Sequence, residues 1–100
     1  MKNIKWLLSF LLIIFFQSLI AQNNKEKSRI IVIGAHPDDC EYAAGGTAAL
    51  LSNMGHAVKF VAVTNGDAGH QSMKGQELAA RRYLETQEVA KRLGVTYDVL

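Results

Sequence analysis

The segment RIIVIGAHPDDCEYAAGGT, residues 29–47, gives the clearest indication of the fold. It opens with an apolar, mostly β-branched run at residues 29–33 that ends at Gly34, which is typical of a short strand buried on both faces of a parallel sheet. A segment rich in Ala and Leu follows from about residue 41 to 54, and Gly55 is placed to end it as a helix C-cap residue does. The stretch therefore predicts a strand, a tight polar loop and a helix.

The same alternation continues to the last residue. Residues 58–63 form a second apolar run that ends in turn residues, residues 77–93 have the period of an amphipathic helix stopped by Gly94, and residues 95–100 resemble the opening of a third strand. Strand, helix, strand, helix, strand predicts an α/β fold, a Rossmann-like open parallel sheet with flanking helices. Because so short a chain buries little surface, we expect only the first half of such a domain.

The second predicted helix has an apolar face and two ion pairs. Ala79, Tyr83, Ala90 and Leu93 are expected to make one face of the helix. Charged residues of opposite sign four positions apart support the helix, Glu77 with Arg81 and Glu88 with Arg92.

The first 21 residues have the composition of a secretory signal peptide. Residues 1–21 start with the basic residues Lys2 and Lys5 and continue with an apolar core shorter than the about 20 residues that span a bilayer. We expect cleavage after Ala21, a secreted or periplasmic protein, and no stable membrane span after cleavage; an uncleaved membrane anchor is the alternative. Residues 22–28, QNNKEKS, are predicted to be a polar linker.

Charge and cysteine content exclude several classes of function. The formal charge is +2, and two of the 11 basic residues, Lys2 and Lys5, lie in the leader, so that nine acidic residues balance the remaining basic ones. Bulk charge therefore gives no support to a nucleic-acid partner. The lone Cys40 excludes an intrachain disulfide framework and a multi-cysteine zinc site.

The loop after the first predicted strand is dense in groups that bind metals. His36, Asp38, Asp39 and Glu41 lie within six residues, at the carboxyl end of a strand where open α/β sheets bind ligands. An imidazole and a carboxylate three residues apart can converge on one cation, and this donor set suits zinc or another first-row divalent ion. The alternative is that Asp38 or Asp39 caps the helix and His36 is a polar loop residue. Spacing alone leaves both interpretations open.

Residues 33–47 resemble the N-terminal signature of the PIG-L/LmbE-like deacetylase family: an apolar strand, Ala-His-Pro-Asp-Asp, a Glu two residues further on, and Gly-Gly-Thr. The resemblance continues in Val-Thr-Asn-Gly-Asp-Ala-Gly at residues 63–69, Arg-Tyr-Leu-Glu at 82–85 and Arg-Leu-Gly-Val at 92–95. On this basis residues 29–100 are predicted to be the N-terminal part of a domain of this family, truncated at its C-terminal side.

The resemblance implies a zinc-dependent hydrolase, an N-deacetylase that cleaves the linear amide bond of an N-acetylglucosamine-type amino sugar or glycoconjugate. His36 and Asp39 match the family's metal ligands, and Asp38 matches its general base. The third ligand is a His from a motif further along the family's chain and outside these residues, so we expect the isolated 100 residues to be inactive. The predicted export favours an extracytoplasmic glycan or glycoconjugate as substrate.

For several other residues the sequence is compatible with both a functional and a structural role. Thr64 and Gly66 are candidates for substrate binding through the second loop, or parts of an ordinary turn. Arg82 binds substrate or orients a carboxylate, or is a surface arginine. Glu41 supports the metal ligands, or is a favourable charge in the first turn of the helix.

Three residues receive structural predictions. His70 is expected to be a loop residue near the substrate entrance rather than a substitute third ligand. His56 lies at the opposite sheet edge and is expected to be structural or solvated. Cys40 is expected to be a small buried packing residue.

Two rival functions remain. One is a non-catalytic, carbohydrate-binding relative that keeps the fold without hydrolysis. The other is a nucleotide-binding module, which the sequence disfavours because the first loop lacks Gly-x-Gly-x-x-Gly and its carboxylates would repel a pyrophosphate.

Overall fold

A computed structural model describes residues 2–21 and 26–100 of the chain. The elements in chain order are α1 (Lys2–Ala21), β1 (Arg29–Gly34), α2 (Asp39–Asn53), β2 (Ala57–Ala62), α3 (Gly75–Leu93) and β3 (Thr96–Val99). The predicted alternation of strands and helices is confirmed. The bounds differ by one or two residues at most ends, and α2 begins at Asp39 rather than near residue 41.

The three strands form one parallel sheet in the order β1-β2-β3. Gly34 pairs with Ala62, and Ala62 pairs with Val99, so the three strands end at the same edge. The ladder extends one step further because Val63 donates to the carbonyl of Gly34 at 2.9 Å. The loops that follow β1 and β2 therefore start side by side, and the open parallel Rossmann-like sheet is confirmed.

One face of the sheet is packed against α2 and α3. Phe60 of β2 is fully buried and meets Tyr97 of β3 edge to face, with ring centroids 5.5 Å apart. Cys40 is buried in the same cluster, which confirms its predicted packing role. On the opposite face, Ile31 and Ile33 of β1 are exposed.

The buried face of α3 differs from the prediction. Leu78, Thr86 and Ala90 are buried, whereas half of Tyr83 is exposed, so the predicted apolar face is not buried as a whole. Thr86 tolerates burial because its hydroxyl donates to the carbonyl of Tyr83 at 2.7 Å.

Only one of the two predicted ion pairs on α3 is present. Arg92 donates to Glu88 at 2.8 Å as predicted. Arg81 pairs with Glu85, one turn further on, at 2.9 Å instead of with Glu77.

Gly94 ends α3 as predicted, for two physical reasons. Its φ of 68° is left-handed, and a Cβ there would lie 2.7 Å from Oγ of Ser52. The Ser52 hydroxyl donates to the carbonyl of Gly94 at 2.5 Å, which joins the ends of α2 and α3.

The apolar leader forms α1, whose side chains at residues 3–18 are exposed. Within residues 2–21 and 26–100, no helix combines the length and the apolar character needed to cross a membrane. The predicted polar linker falls largely on residues 22–25, which lie outside the described residues.

Candidate active site

Two loops at the carboxyl edge of the sheet pack directly on each other. Thr64 donates both its backbone N–H, at 3.0 Å, and its hydroxyl, at 2.8 Å, to the carbonyl of Ala35. Gly66 is buried with a φ of 70°, and a Cβ there would lie 3.0 Å from Cδ of Pro37. Thr64 and Gly66, at the start of the loop that follows β2, therefore hold this second loop against the His-Pro-Asp-Asp turn.

His36 and Asp39 converge as the metal-site interpretation requires. Nδ1 of His36 lies 3.5 Å from Oδ2 of Asp39, and both side chains are about half exposed. The backbone N–H of His36 donates to the same oxygen at 2.9 Å, and this hydrogen bond holds the pKa of the Asp39 carboxyl below its ordinary value. The turn thus presents one imidazole nitrogen and one ionised carboxylate side by side.

The absence of a side chain at Gly34 allows this turn to be tight. A Cβ at Gly34 would lie 2.7 Å from Cβ of Asp39 and 3.2 Å from Sγ of Cys40. Only glycine lets α2 begin so close to the end of β1. The sequence marked Gly34 as the end of a strand, but this steric requirement depends on α2 beginning at Asp39.

Asp38 has a strained backbone. Its φ of 155° and ψ of −25° make it the one non-glycine residue with positive φ among those the structure describes. Such conformations cost of the order of 1–3 kcal/mol and occur where the surroundings impose them, often at functional sites. Asp38 occupies the N-cap position of α2, yet its side chain makes no capping hydrogen bond. The capping alternative therefore does not describe Asp38.

Arg82 connects α3 to this strained residue. Its Nη1 lies 3.8 Å from Oδ2 of Asp38 and 3.4 Å from Oε2 of Glu85, and only 28% of its side chain is exposed. The guanidinium hydrogen-bonds Glu85 and lies within ion-pair distance of the Asp38 carboxylate. This placement favours the carboxylate-orienting interpretation of Arg82 over that of a solvated surface arginine.

The two loops and α3 line an open cavity of about 230 Å³. It is smaller than the about 300–1,000 Å³ of complete small-molecule sites, so it fits part of a ligand. Its lining consists of His36, Pro37, Asp38, Gly66, Ala68, Gly69 and Arg82. Thr64 is not in this lining and serves to join the loops.

A hydrogen bond that the sequence did not reveal joins β3 to the first turn of α2, next to the His-Pro-Asp-Asp turn. The hydroxyl of Tyr97, on β3, donates to Oε2 of Glu41 at 2.9 Å. Burial and the Glu41 carboxylate raise the pKa of the Tyr97 phenol far above its ordinary value, so it remains a donor. Burial likewise raises the pKa of the Cys40 thiol, which argues against a reactive cysteine. The sequence indicates only that Tyr97 is an inward-facing residue of a short strand, and it gives no sign of the contact with Glu41.

The other two histidines make structural contacts. Nδ1 of His70 accepts hydrogen bonds from the N–H groups of Ser72 and Met73, which closes its own loop, and His70 does not line the cavity. Nδ1 of His56 accepts from the N–H of Ser28, which confirms its predicted structural role. In the part of the chain that the structure describes, no three His, Cys, Asp or Glu side chains converge to hold a metal ion.

The fold and this site define a Rossmann-like α/β domain that carries a His, two Asp and an Arg at the carboxyl edge of a parallel sheet. The PIG-L family, described as GlcNAc-PI de-N-acetylase, matches residues 31–100. The chain belongs to this family.

Among individual proteins, diacetylchitobiose deacetylase of Thermococcus kodakarensis is 38% identical over 69 residues, which cover 67% of this chain and 26% of that protein. The structure of N,N'-diacetylchitobiose deacetylase from Pyrococcus horikoshii, complexed with its inhibitor, matches with a TM-score of 0.67 and 40% identity over 76% of this chain and 30% of that one. The chain thus spans about a quarter to a third of the length of these two relatives.

A third match shows that the fold does not determine the reaction. The 4-carboxy-2-hydroxymuconate hydratase GalB of Pseudomonas putida superposes with a TM-score of 0.65 and 26% identity, covering 74% of this chain and 33% of that one. Deacetylases and a hydratase therefore share this scaffold, and the activity has to be argued from the site.

Proposed function

We propose that the full-length protein is a zinc-dependent N-deacetylase that removes acetyl from an N-acetylglucosamine-type amino sugar or glycoconjugate. The observation that carries this proposal is the convergence of His36 and Asp39, 3.5 Å apart, beside a strained Asp38 that lines the cavity. The relatives named as diacetylchitobiose deacetylases support an acetylated amino sugar as the substrate class.

The donors at the turn fit a zinc ion. Zinc takes imidazole nitrogen and carboxylate oxygen as ligands, and catalytic sites commonly use three protein ligands with a position left open. His36 and Asp39 would supply two ligands, and we propose that a His outside these 100 residues supplies the third. When bound, zinc supplies Lewis acidity, which lowers the pKa of water and polarises an amide carbonyl.

Asp38 would act as the general base. Its carboxylate would take a proton from the water that attacks the acetamide carbonyl carbon, and a carbon–oxygen bond forms. The carbon–nitrogen bond then breaks as Asp38 returns the proton to the departing nitrogen, giving the amine and acetic acid, which ionises to acetate. Arg82, 3.8 Å from Asp38, would orient this carboxylate.

The second loop would shape the substrate pocket. Gly66 brings its backbone against Pro37 and lines the cavity, so a sugar would meet main chain there rather than a side chain. Thr64 would act indirectly, because its donors bind the carbonyl of Ala35 and hold the loop in place.

The test is acetate release by zinc-loaded full-length protein from N-acetylglucosamine and N,N'-diacetylchitobiose. We expect Asp38→Asn to lower kcat by about 10²–10⁴-fold, the usual contribution of a general base, with zinc still bound. His36→Ala and Asp39→Ala should lose zinc. Glu88→Gln, which changes an exposed carboxylate on α3 in the same way, should retain activity.

The other outcomes separate the rival functions. Stoichiometric zinc uptake and sugar binding without acetate release would indicate a non-catalytic, carbohydrate-binding relative. Absence of zinc uptake by the wild-type protein would reject the proposal altogether.

We also propose that residues 1–21 act as a cleavable signal peptide and that the mature protein is secreted or periplasmic. The basic start and the apolar helix α1 support this. N-terminal sequencing after cell fractionation should find Gln22 as the first residue in the extracytoplasmic fraction. An intact Met1 in the cytosol would contradict the proposal.

A further inference from the structure

The first turn of α2 is attached to β1 and β2 by two consecutive residues. Asp39 lies so close to Gly34 that a Cβ on this glycine would be 2.7 Å from that of Asp39. Sγ of Cys40 lies 3.5 Å from the carbonyl oxygen of Val32 and 3.6 Å from that of Val61. These contacts hold the turn on one side only, since all of them come from the two strands that precede α3.

The next residue attaches the turn to β3. Glu41 accepts the hydrogen bond from the Tyr97 hydroxyl at 2.9 Å, across 56 positions of sequence. Tyr97 is itself well fixed, because it is 5% exposed, its ring packs edge to face on Phe60, and its carbonyl accepts from Nε2 of Gln87 at 3.3 Å. Its raised pKa keeps the hydroxyl a donor at all ordinary pH values.

We propose that Tyr97 is a positioning residue for the metal site: by holding Glu41 it fixes the first turn of α2 and thereby the distance between His36 and Asp39. The proposal rests on the proposed zinc function. Its physical reason is that the first turn of a helix has N–H groups without intrahelical partners and frays readily. Without Tyr97, the first turn of α2 keeps its contacts with β1, β2 and the loop, including the hydrogen bond from the N–H of His36 to Asp39, but loses its attachment to β3.

The experiment measures zinc affinity of the full-length protein by competition with a chromophoric chelator, together with the visible absorption spectrum of the cobalt(II) form. We expect Tyr97→Phe and Glu41→Ala each to weaken zinc binding about 10-fold, the lower end of the effect of residues that support metal ligands. Both should change the cobalt spectrum. Glu41→Gln keeps an oxygen that accepts from Tyr97, so it should restore near wild-type affinity.

A second readout needs no metal. Amide hydrogen exchange at residues 39–42 of the metal-free protein should accelerate in Tyr97→Phe and Glu41→Ala but not in Glu41→Gln. Tyr83→Phe is the matched control, because it removes the same hydroxyl from a tyrosine that is half exposed on α3. Its zinc affinity should equal that of the wild type.

The outcomes distinguish this inference from the function on which it rests. If the wild-type protein binds no zinc, the proposed function fails. If the wild type binds zinc and Tyr97→Phe has the same affinity and cobalt spectrum, the positioning role is refuted. If Tyr97→Phe does not fold, the comparison of Glu41→Ala with Glu41→Gln decides, since Glu41 is only half buried. The double variant Tyr97→Phe with Glu41→Ala should bind zinc no more weakly than either single variant. Additive losses of zinc affinity would overturn the proposal.

Discussion

Replacing Gly34 by Ala should damage both stability and the metal site. The added Cβ would lie 2.7 Å from Cβ of Asp39, whereas ordinary contacts are 3.4–4 Å, so the first turn of α2 must move by about 1 Å. Overpacking of this kind costs about 1–3 kcal/mol. Because the backbone of Gly34 does not have a positive φ, this loss comes from the clash and not from conformational strain.

Two measurements on the full-length protein follow from this. For a protein of about 150–250 residues the melting temperature should fall by about 2–4 °C per kcal/mol lost. Because Asp39 is displaced relative to His36, acetate release should fall by about 100-fold, the effect expected of a 1 Å misplacement.

Gly46→Ala is the matched control for this substitution. Gly46 lies within α2, and a Cβ there would meet nothing within 4 Å. Alanine in a helix interior is favoured over glycine by about 1 kcal/mol, so this variant should melt higher and keep its activity. If Gly34→Ala melts with the wild type and binds zinc equally well, the argument that Gly34 sets the geometry of the turn is refuted.

Three further substitutions test the strained and crowded positions. Asp38→Gly should raise the free energy of unfolding by about 1 kcal/mol in urea titrations, because the relief of backbone strain at φ 155° exceeds the entropy cost of introducing glycine. Asp38→Asn keeps the strain and should match the wild type, so equal stabilities of the Gly and Asn variants would contradict this. Gly66→Ala should cost more in thermal melts than Gly69→Ala, since both have positive φ but only Gly66 contacts Pro37, and equal losses would argue against that contact. Gly94→Ala should be destabilising by about 1–3 kcal/mol from its left-handed φ and its clash with Ser52, and combining it with Ser52→Ala should cost less than the sum of the two changes, whereas strict additivity would rule out the clash.

The position of the first loop was predictable because it follows from the order of the elements along the chain and the parallel direction of the strands. Each parallel strand ends at the same sheet edge, so a polar turn after the first strand and a second loop after the next had to meet there. His36 and Asp39 are three residues apart on one turn, and the structure brings them together as the spacing implied. Local pattern was sufficient at this position.

The face of α3 could not be predicted as reliably, since residue type was a poor guide to burial. Tyr83 belongs to the predicted apolar face of the helix, but the buried positions are Leu78, Thr86 and Ala90. Thr86 could take a core position because its hydroxyl finds an acceptor one turn earlier in the same helix. Whether a buried polar side chain finds a hydrogen-bond partner depends on the positions of atoms in the fold, which hydrophobic periodicity does not give.

Local patterns of residues were enough to predict the order of strands and helices, the loop that carries the candidate metal ligands, and membership in a family that the comparison of residues 31–100 confirms. These patterns did not reveal that Gly34 must lack a side chain, that Asp38 is strained or that Tyr97 reaches Glu41, all of which follow from the folded chain. The two sets of features differ in how far apart along the chain the interacting residues lie. Hydrophobic period and turn chemistry act over a few neighbouring residues, whereas steric exclusion and hydrogen bonding across the sheet join groups that only the folded chain brings within a few ångströms.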